Sequence, residues 1–346
     1  MAGILKEDRI VVEDEKEANR LYNKGYFGQP QSGNYLELSF YEGIYLLEAD
    51  RLEIVGENGK SIKKEDVLER VPRRKFMREY PVYKDMRSRG YVLKEASDPA
   101  SFRVFPRGGG PGQTPTKYWI CTAREKENFY LKEILEANRK ISNLGKAMLT
   151  ALVDEEGDVT YYIFSTIDLK GRVEKYDGES VKGIIYGDKC IIKEGFKDLY
   201  ENNFYGSRED GNLNLSFYEI LYLRERGILE IEKTDNDATL SWEELESEHT
   251  KKEGFELMNK VYKDLRERGL IPKTGFKYGT EFRAYAGDPD EIHAEYIVQP
   301  VEKEHKSRWY EVSRAVRVAH SVRKDFIFGI PEDGKVSYLK IKRETP

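Results

Sequence analysis

Cysteine is nearly absent from this chain. Cys121 and Cys190 are the whole complement, which leaves neither a disulfide framework nor a zinc pattern. No run of 18 or more apolar residues occurs, which excludes a hydrophobic membrane-spanning helix. The opening stretch MAGILKEDRIVVEDEKEANR turns acidic too early for a signal peptide. A cytoplasmic protein is expected from these features. The net charge is −5, which taken over the whole chain argues against a nucleic-acid partner. That balance is uneven, however. Residues 301–346 hold 11 Lys and Arg against 7 Asp and Glu, so the C-terminal segment is the part suited to facing an anion. At 346 residues the chain is long enough for two or three domains with their own cores.

What is present is a long internal repeat. RLYNKGYFGQPQSGNYLELSFYEGIYLLEADRLEI from Arg20 returns as DLYENNFYGSREDGNLNLSFYEILYLRERGILEI from Asp198. VYKDMRSRGYVLK from Val82 returns as VYKDLRERGLIPK from Val261, and SFRVF from Ser101 as EFRAY from Glu281. EANR at 136–139 is matched to EVSR at 311–314. Copies about 175–180 residues apart lie far beyond solenoid periods, so this is a duplicated domain pair.

Each copy has two parts, the first ending in an LSFYE…YL segment of helical character and an apolar LEI run, the second opening with an amphipathic helix. In the second copy Phe255, Met258, Tyr262 and Leu265 follow helical spacing, with Gly269 as the C-terminal cap. The strands EFRAY and EYIVQPV follow, then a helix with Trp309, Val312, Val316 and Ala319 on one face. A hairpin KDFIFGI-PEDG-KVSYLKIK closes the chain. The pattern predicts an α/β or α+β fold with a mixed sheet in each half, the last strands of the two copies pairing near Val159–Phe164 and Val336–Lys342.

The copies differ where chemistry could reside. Tyr285 has Phe105 as its counterpart. His293 is matched to Thr116, Lys324 to Leu149, and Arg317 to Ser142. Of the other histidines, His305 and His320 are expected at the surface or behind the site, and His249 in solvent. A loop DPDEIH offers Asp288, Asp290, Glu291 and His293 as an alternative metal-ligand set. The glycine-rich segment 107–117 lacks the GK[ST] ending of a phosphate loop and is expected to be a solvated surface loop.

The motifs VYKDLRERG, KTGFKYGTEFRAY, IHAEYIV and RAVRVAHSVRK in the second copy resemble those of the archaeal tRNA-splicing endonuclease family. The resemblance spans nearly the whole chain. It is similar to the homodimeric type, in which a degenerate repeat precedes a catalytic one. On that basis residues 1–72 and 73–168 form the small and pseudo-catalytic, nuclease-like subdomains of the first repeat. Residues 169–186 connect the repeats, and 187–250 and 251–346 form the small and catalytic subdomains of the second.

The resemblance implies cleavage of precursor tRNA at a bulge–helix–bulge by the RNA's own 2′-hydroxyl, without metal or other cofactor. The products would carry a 2′,3′-cyclic phosphate and a 5′-hydroxyl. It implies Tyr285 as base, His293 as acid and Lys324 as the cation facing the phosphorane. The residue types fit proton transfer and charge stabilisation, but do not themselves say which of Tyr285 and His293 gives and which takes. It further implies Arg317 and Arg343, from opposite subunits, around a bulged base, and an acidic turn at Asp154, Glu155 and Glu156 docking on the partner subunit. A non-catalytic RNA-binding or structural subunit, and a metal-dependent nuclease built on 288–293, are the competing readings.

Overall fold

The computed structural model describes residues 2–232 and 241–346. Its centre is one ten-stranded mixed sheet made from both copies. The first copy supplies Val92–Glu95, Phe102–Phe105, Tyr118–Arg124, Ala147–Val153 and Val159–Ile167, running from one edge to the middle. The second supplies Ile271–Thr274, Phe282–Tyr285, Tyr296–Pro300, Asp325–Glu332 and Lys335–Glu344 in the same order from the other edge. The two last strands meet antiparallel at the centre, with Phe164 opposite Ile341 and Ile167 opposite Tyr338. This is the pairing the sequence predicts.

The join is apolar because alternate residues of both strands point into one core. Tyr162, Phe164, Leu339 and Ile341 pack there with Trp309, Phe326 and Phe328. Fully burying such a side chain is worth about 1.5–3 kcal/mol, so the two copies share a core rather than merely touching. The Tyr162 and Ser313 hydroxyls are 2.6 Å apart across the copies. A small second sheet, not foreseen from the sequence, pairs Asn128–Tyr130 of the first copy with Lys306–Arg308 of the second.

Each copy also carries a five-stranded sheet with a helix. The helices are Phe40–Glu48 and Phe217–Glu225. Ser39 caps the first in a capping box, exchanging hydrogen bonds with Glu42, while Ser216 donates both its N–H and its hydroxyl to the Glu219 carboxylate. Those glutamates are buried and do a second job. Glu42 accepts from Gly28 N–H and the Lys94 ammonium, at 2.9 and 2.8 Å. Glu219 does the same with Gly206 and Lys273, at 2.8 and 2.9 Å. A charge pair thus ties each small sheet to its large one.

The final hairpin turns on Asp333 and Gly334, both with positive φ, as a two-residue connection requires. Pro331 and Glu332, expected in the turn, belong to the strand. The segment between copies is shorter than the expected 169–186, because Val181–Tyr186 is already a strand of the second small sheet. Nor is it loose: Gly171 and Val173 N–H donate to Arg268 and Gly269 carbonyls, and Arg172 N–H to Ala286. The glycine-rich segment of the first copy is likewise packed at its middle. Gly109 and Gly110 are buried, and a Cβ on Gly110 would fall 2.6 Å from the Tyr26 ring. Arg107 lies 4.9 Å over the Tyr91 ring and donates to the Pro346 carbonyl at 3.3 Å. It is therefore a docked loop, not the solvated one expected.

Candidate active site

Three neighbouring strands of the second copy end in register. Ala284 pairs with Tyr296, and Tyr296 with Asp325. One residue further out, Glu295 N–H donates to Ala284 and Asp325 N–H to Glu295, at 3.2 and 2.9 Å. Tyr285 closes the first of these strands. His293 and Ala294 lead into the second, and Lys324 into the third. The helix Trp309–Ser321 delivers Lys324 there by a tight exit. Arg323 takes a positive φ of 57°, and Lys324 N–H donates to the Ala319 carbonyl at 2.9 Å. The sheet thus gathers at one end Tyr285 and His293, which are close in sequence, and Lys324, which follows a whole helix later.

Ala294 is the residue they share. Its side chain packs with Tyr285 and Ile271, and its carbonyl accepts from Lys324 Nζ at 2.6 Å. Tyr285 is 8% exposed, with the Arg283 guanidinium 5.6 Å from its ring. His293 is exposed and carries no hydrogen bond to another described side chain. The arrangement offers a buried phenol that lines a cleft, an exposed imidazole and an ammonium whose other protons remain available to a ligand.

Two clefts adjoin this end of the sheet. One of about 810 Å³ runs between the small and large sheets and is lined by Tyr285, Arg283, Glu281, Tyr218 and Phe282. The other, of about 740 Å³, is lined by Lys324, His320, Arg323, Asp325 and Arg343. Arg343 is thereby brought beside Lys324. Arg317 stands on the exposed face of the preceding helix and does not line that cleft. Neither arginine has a carboxylate partner among the described residues.

The remaining histidines sort by burial. His305 is half-buried between Phe129 and Phe328, and burial pushes its imidazole pKa down, Glu311 opposing. His320 is exposed and borders the Lys324 cleft. His249, expected in solvent, stacks on Phe217 at 4.0 Å. In the 288–293 loop, Asp288 is used to form the turn. Its carboxylate accepts from Asp290 N–H at 2.8 Å and its carbonyl from Glu291 and Ile292. Among the described residues, no three His, Cys, Asp or Glu side chains are grouped so as to hold a metal ion. In the acidic turn, Asp154 accepts from the N–H groups of Glu156 and Asp158, while Glu155 pairs with Lys126 of the same chain.

The first copy corrects the residue matching. Ala147 pairs with Tyr118 as Asp325 pairs with Tyr296. Gly145 and Arg323, two residues before these strands, both have positive φ. Lys324 therefore corresponds to Lys146, not Leu149, and Arg317 to Arg139, not Ser142. The EANR–EVSR matching is displaced by three residues, close to one helical turn, so the apolar pattern still agreed. Counting back from the strands, His293 corresponds to Pro115, one residue from Thr116. Phe105 remains the counterpart of Tyr285, since Val92 and Ile271 pair with them equivalently. The first copy lacks the phenol and the imidazole, but keeps the amine.

A family model of the tRNA intron endonuclease catalytic C-terminal domain matches residues 76–161 and again 255–338. The model of the N-terminal domain of the same enzymes matches 1–68 and 181–246. The chain belongs to the tRNA intron endonuclease family. Among its relatives, the tRNA-splicing endonuclease of Methanococcoides burtonii is 36% identical over 99% of both chains. That of Methanosarcina barkeri is 35% identical over 98% of both. That of Haloferax volcanii is 29% identical, again over 98% of both. The duplicated family domains are the two copies seen in the fold, each a small sheet followed by half of the large one.

Proposed function

We propose that this tRNA intron endonuclease family member is a tRNA-splicing endonuclease that cuts precursor tRNA at the two bulges of a bulge–helix–bulge. The observation that carries the reading is the convergence of Tyr285, His293 and Lys324 on one end of the sheet, in a chain of this family. The attacking group is the ribose 2′-hydroxyl beside the scissile phosphate. Tyr285 and His293 move the two protons, one from the 2′-oxygen and one onto the departing 5′-oxygen. The 2′-oxygen bonds to phosphorus as the P–O5′ bond breaks, which leaves a 2′,3′-cyclic phosphate and a 5′-hydroxyl. Lys324, oriented by the Ala294 carbonyl, faces the phosphorane oxygens and offsets the charge that grows there. No protein nucleophile and no metal enters the scheme.

Arg343, beside Lys324, and Arg317, on the neighbouring helix, hold the bulge; a planar guanidinium stacks on bases and pairs with phosphates. One catalytic copy per chain makes one cut, and a two-fold homodimer supplies the second. The acidic turn at Asp154, Glu155 and Glu156 is the surface assigned to that contact. The test is to incubate the protein with a bulge–helix–bulge RNA in excess chelator and identify the termini. A 3′-hydroxyl paired with a 5′-phosphate, or loss of cleavage while the RNA stays folded, would refute the scheme.

A further inference from the structure

Phe276 is 88% exposed, more than any other large apolar side chain among the described residues. Single exposed apolar residues are ordinary, so exposure alone assigns nothing. Three further observations do. First, the side chain is held on a fixed support. Phe276–Tyr278 is a 3-10 turn between the strands Ile271–Thr274 and Phe282–Tyr285. Gly275 N–H donates to Glu281, Tyr278 N–H to Gly275 and Gly279 N–H to Phe276, at 2.8, 2.7 and 2.9 Å. Gly279 supplies the positive φ of 68° that closes the turn.

Second, the turn reaches the candidate site. Tyr278 packs inward onto the shared core, and its ring lies 6.0 Å from Lys324 Nζ and 5.1 Å from Lys277 Nζ. Phe276 thus points outward two residues from a ring that borders the phosphate-facing ammonium, with the exposed Lys277 between them. Aromatic rings interleaved with cations are how proteins grip single-stranded nucleic acid.

Third, the device is confined to the second copy. The first copy has the same hairpin, Ala96 N–H donating to Ser101 at 2.9 Å. The residues enclosed are Ser97, Asp98, Pro99 and Ala100. They include no aromatic and no cation, and Asp98 faces Lys140 at 3.4 Å. The exposed ring occurs only where Tyr285 and His293 occur.

We infer that Phe276 is a stacking platform for an unpaired base of the RNA strand, next to the phosphodiester that Lys324 faces. This rests on the RNA-cleavage reading above and adds a positioning residue to it.

The test uses the full chain and a bulge–helix–bulge RNA with 2′-deoxy sugars at the cut positions, so that binding is read without cleavage. 2-Aminopurine is placed at each bulge position in turn. Binding of the parent quenches the fluorescence at one position. Phe276→Ala removes that quenching and weakens binding by about 5- to 160-fold, the range for loss of a base–aromatic stack. Its melting temperature stays that of the parent, because the ring is in solvent. Phe276→Trp restores the quenching and Phe276→Leu does not. Unchanged quenching and affinity in Phe276→Ala, or full rescue by leucine, would overturn the inference while a parent that cuts ribose-containing RNA keeps the cleavage reading. A parent that neither binds nor cuts would overturn both.

Discussion

Lys324 Nζ donates to the carbonyl oxygen of Ala294 over 2.6 Å, one residue from His293. The bond fixes the ammonium at the strand end where Tyr285 also stops. His293→Ala and Lys324→Ala are each expected to slow single-turnover cleavage by about 10²–10⁴-fold, the usual worth of a group acting on protons or charge in the transition state. RNA affinity should change little, because neither side chain supplies bulk to the interface. Tyr285→Phe keeps the packing against Ile271 and Ala294 and should slow cleavage without loss of stability. Rates within a few-fold of the parent for all three variants would remove them from the mechanism.

Lys146 provides the internal control. It occupies the position of Lys324 but has Phe105 and Pro115 where the second copy has Tyr285 and His293. Lys146→Ala should therefore alter cleavage by less than about threefold, against the 10²–10⁴ of an acid–base group. A large loss would mean that the first copy takes part in the chemistry.

Ile341 stands opposite Phe164 on one side and Phe326 on the other, at the seam of the copies. Ile341→Ala should lower stability by about 2–5 kcal/mol, the cost of removing a buried branched side chain. Denaturant unfolding followed by circular dichroism and by tryptophan fluorescence should show one common transition, shifted equally. Separated transitions would mean that the copies unfold independently.

Acid should weaken the first copy through Glu48. Burial works to raise its pKa, but hydrogen bonds from Lys64, Lys84 and Tyr80 outweigh burial and bring it down to about 2. A carboxylate whose folded pKa lies below its ordinary 4.5 stabilises the fold fully above that value and loses the contribution as pH falls toward 2. The stability gap between parent and Glu48→Gln should thus be widest near neutrality and shrink between about pH 4.5 and 2. A gap that stays constant over that range would place the effect of the variant elsewhere.

The sequence was most legible where a local rule decides. The helical LSFYE…YL segments, the helix with Trp309 and Val312 on one face, and the closing hairpin all follow from spacing. The pairing of the last strands followed from their apolar alternation. Register across an amphipathic helix was not legible. A displacement of three residues keeps the same face inward, which is why Lys324 was set against Leu149 and Arg317 against Ser142. Strand pairing settled both, because hydrogen-bond partners admit no such slip. The sheet Asn128–Tyr130 with Lys306–Arg308 was hidden too, since strands so short leave no periodicity to read. Of the site, the residue types were evident, but the part of Ala294 was not. An alanine carbonyl has no signature in a string of letters.

The paired clasps Glu42–Lys94 and Glu219–Lys273 set how each small sheet stands against the central one. Breaking such a buried pair leaves a charge stranded, typically at several kcal/mol, so hinge opening between the layers is rarely visited. The gap between the layers is thus set by the fold itself. On the proposed reading, a molecule so built works as a gauge rather than a clamp: it admits RNA whose outline already fits.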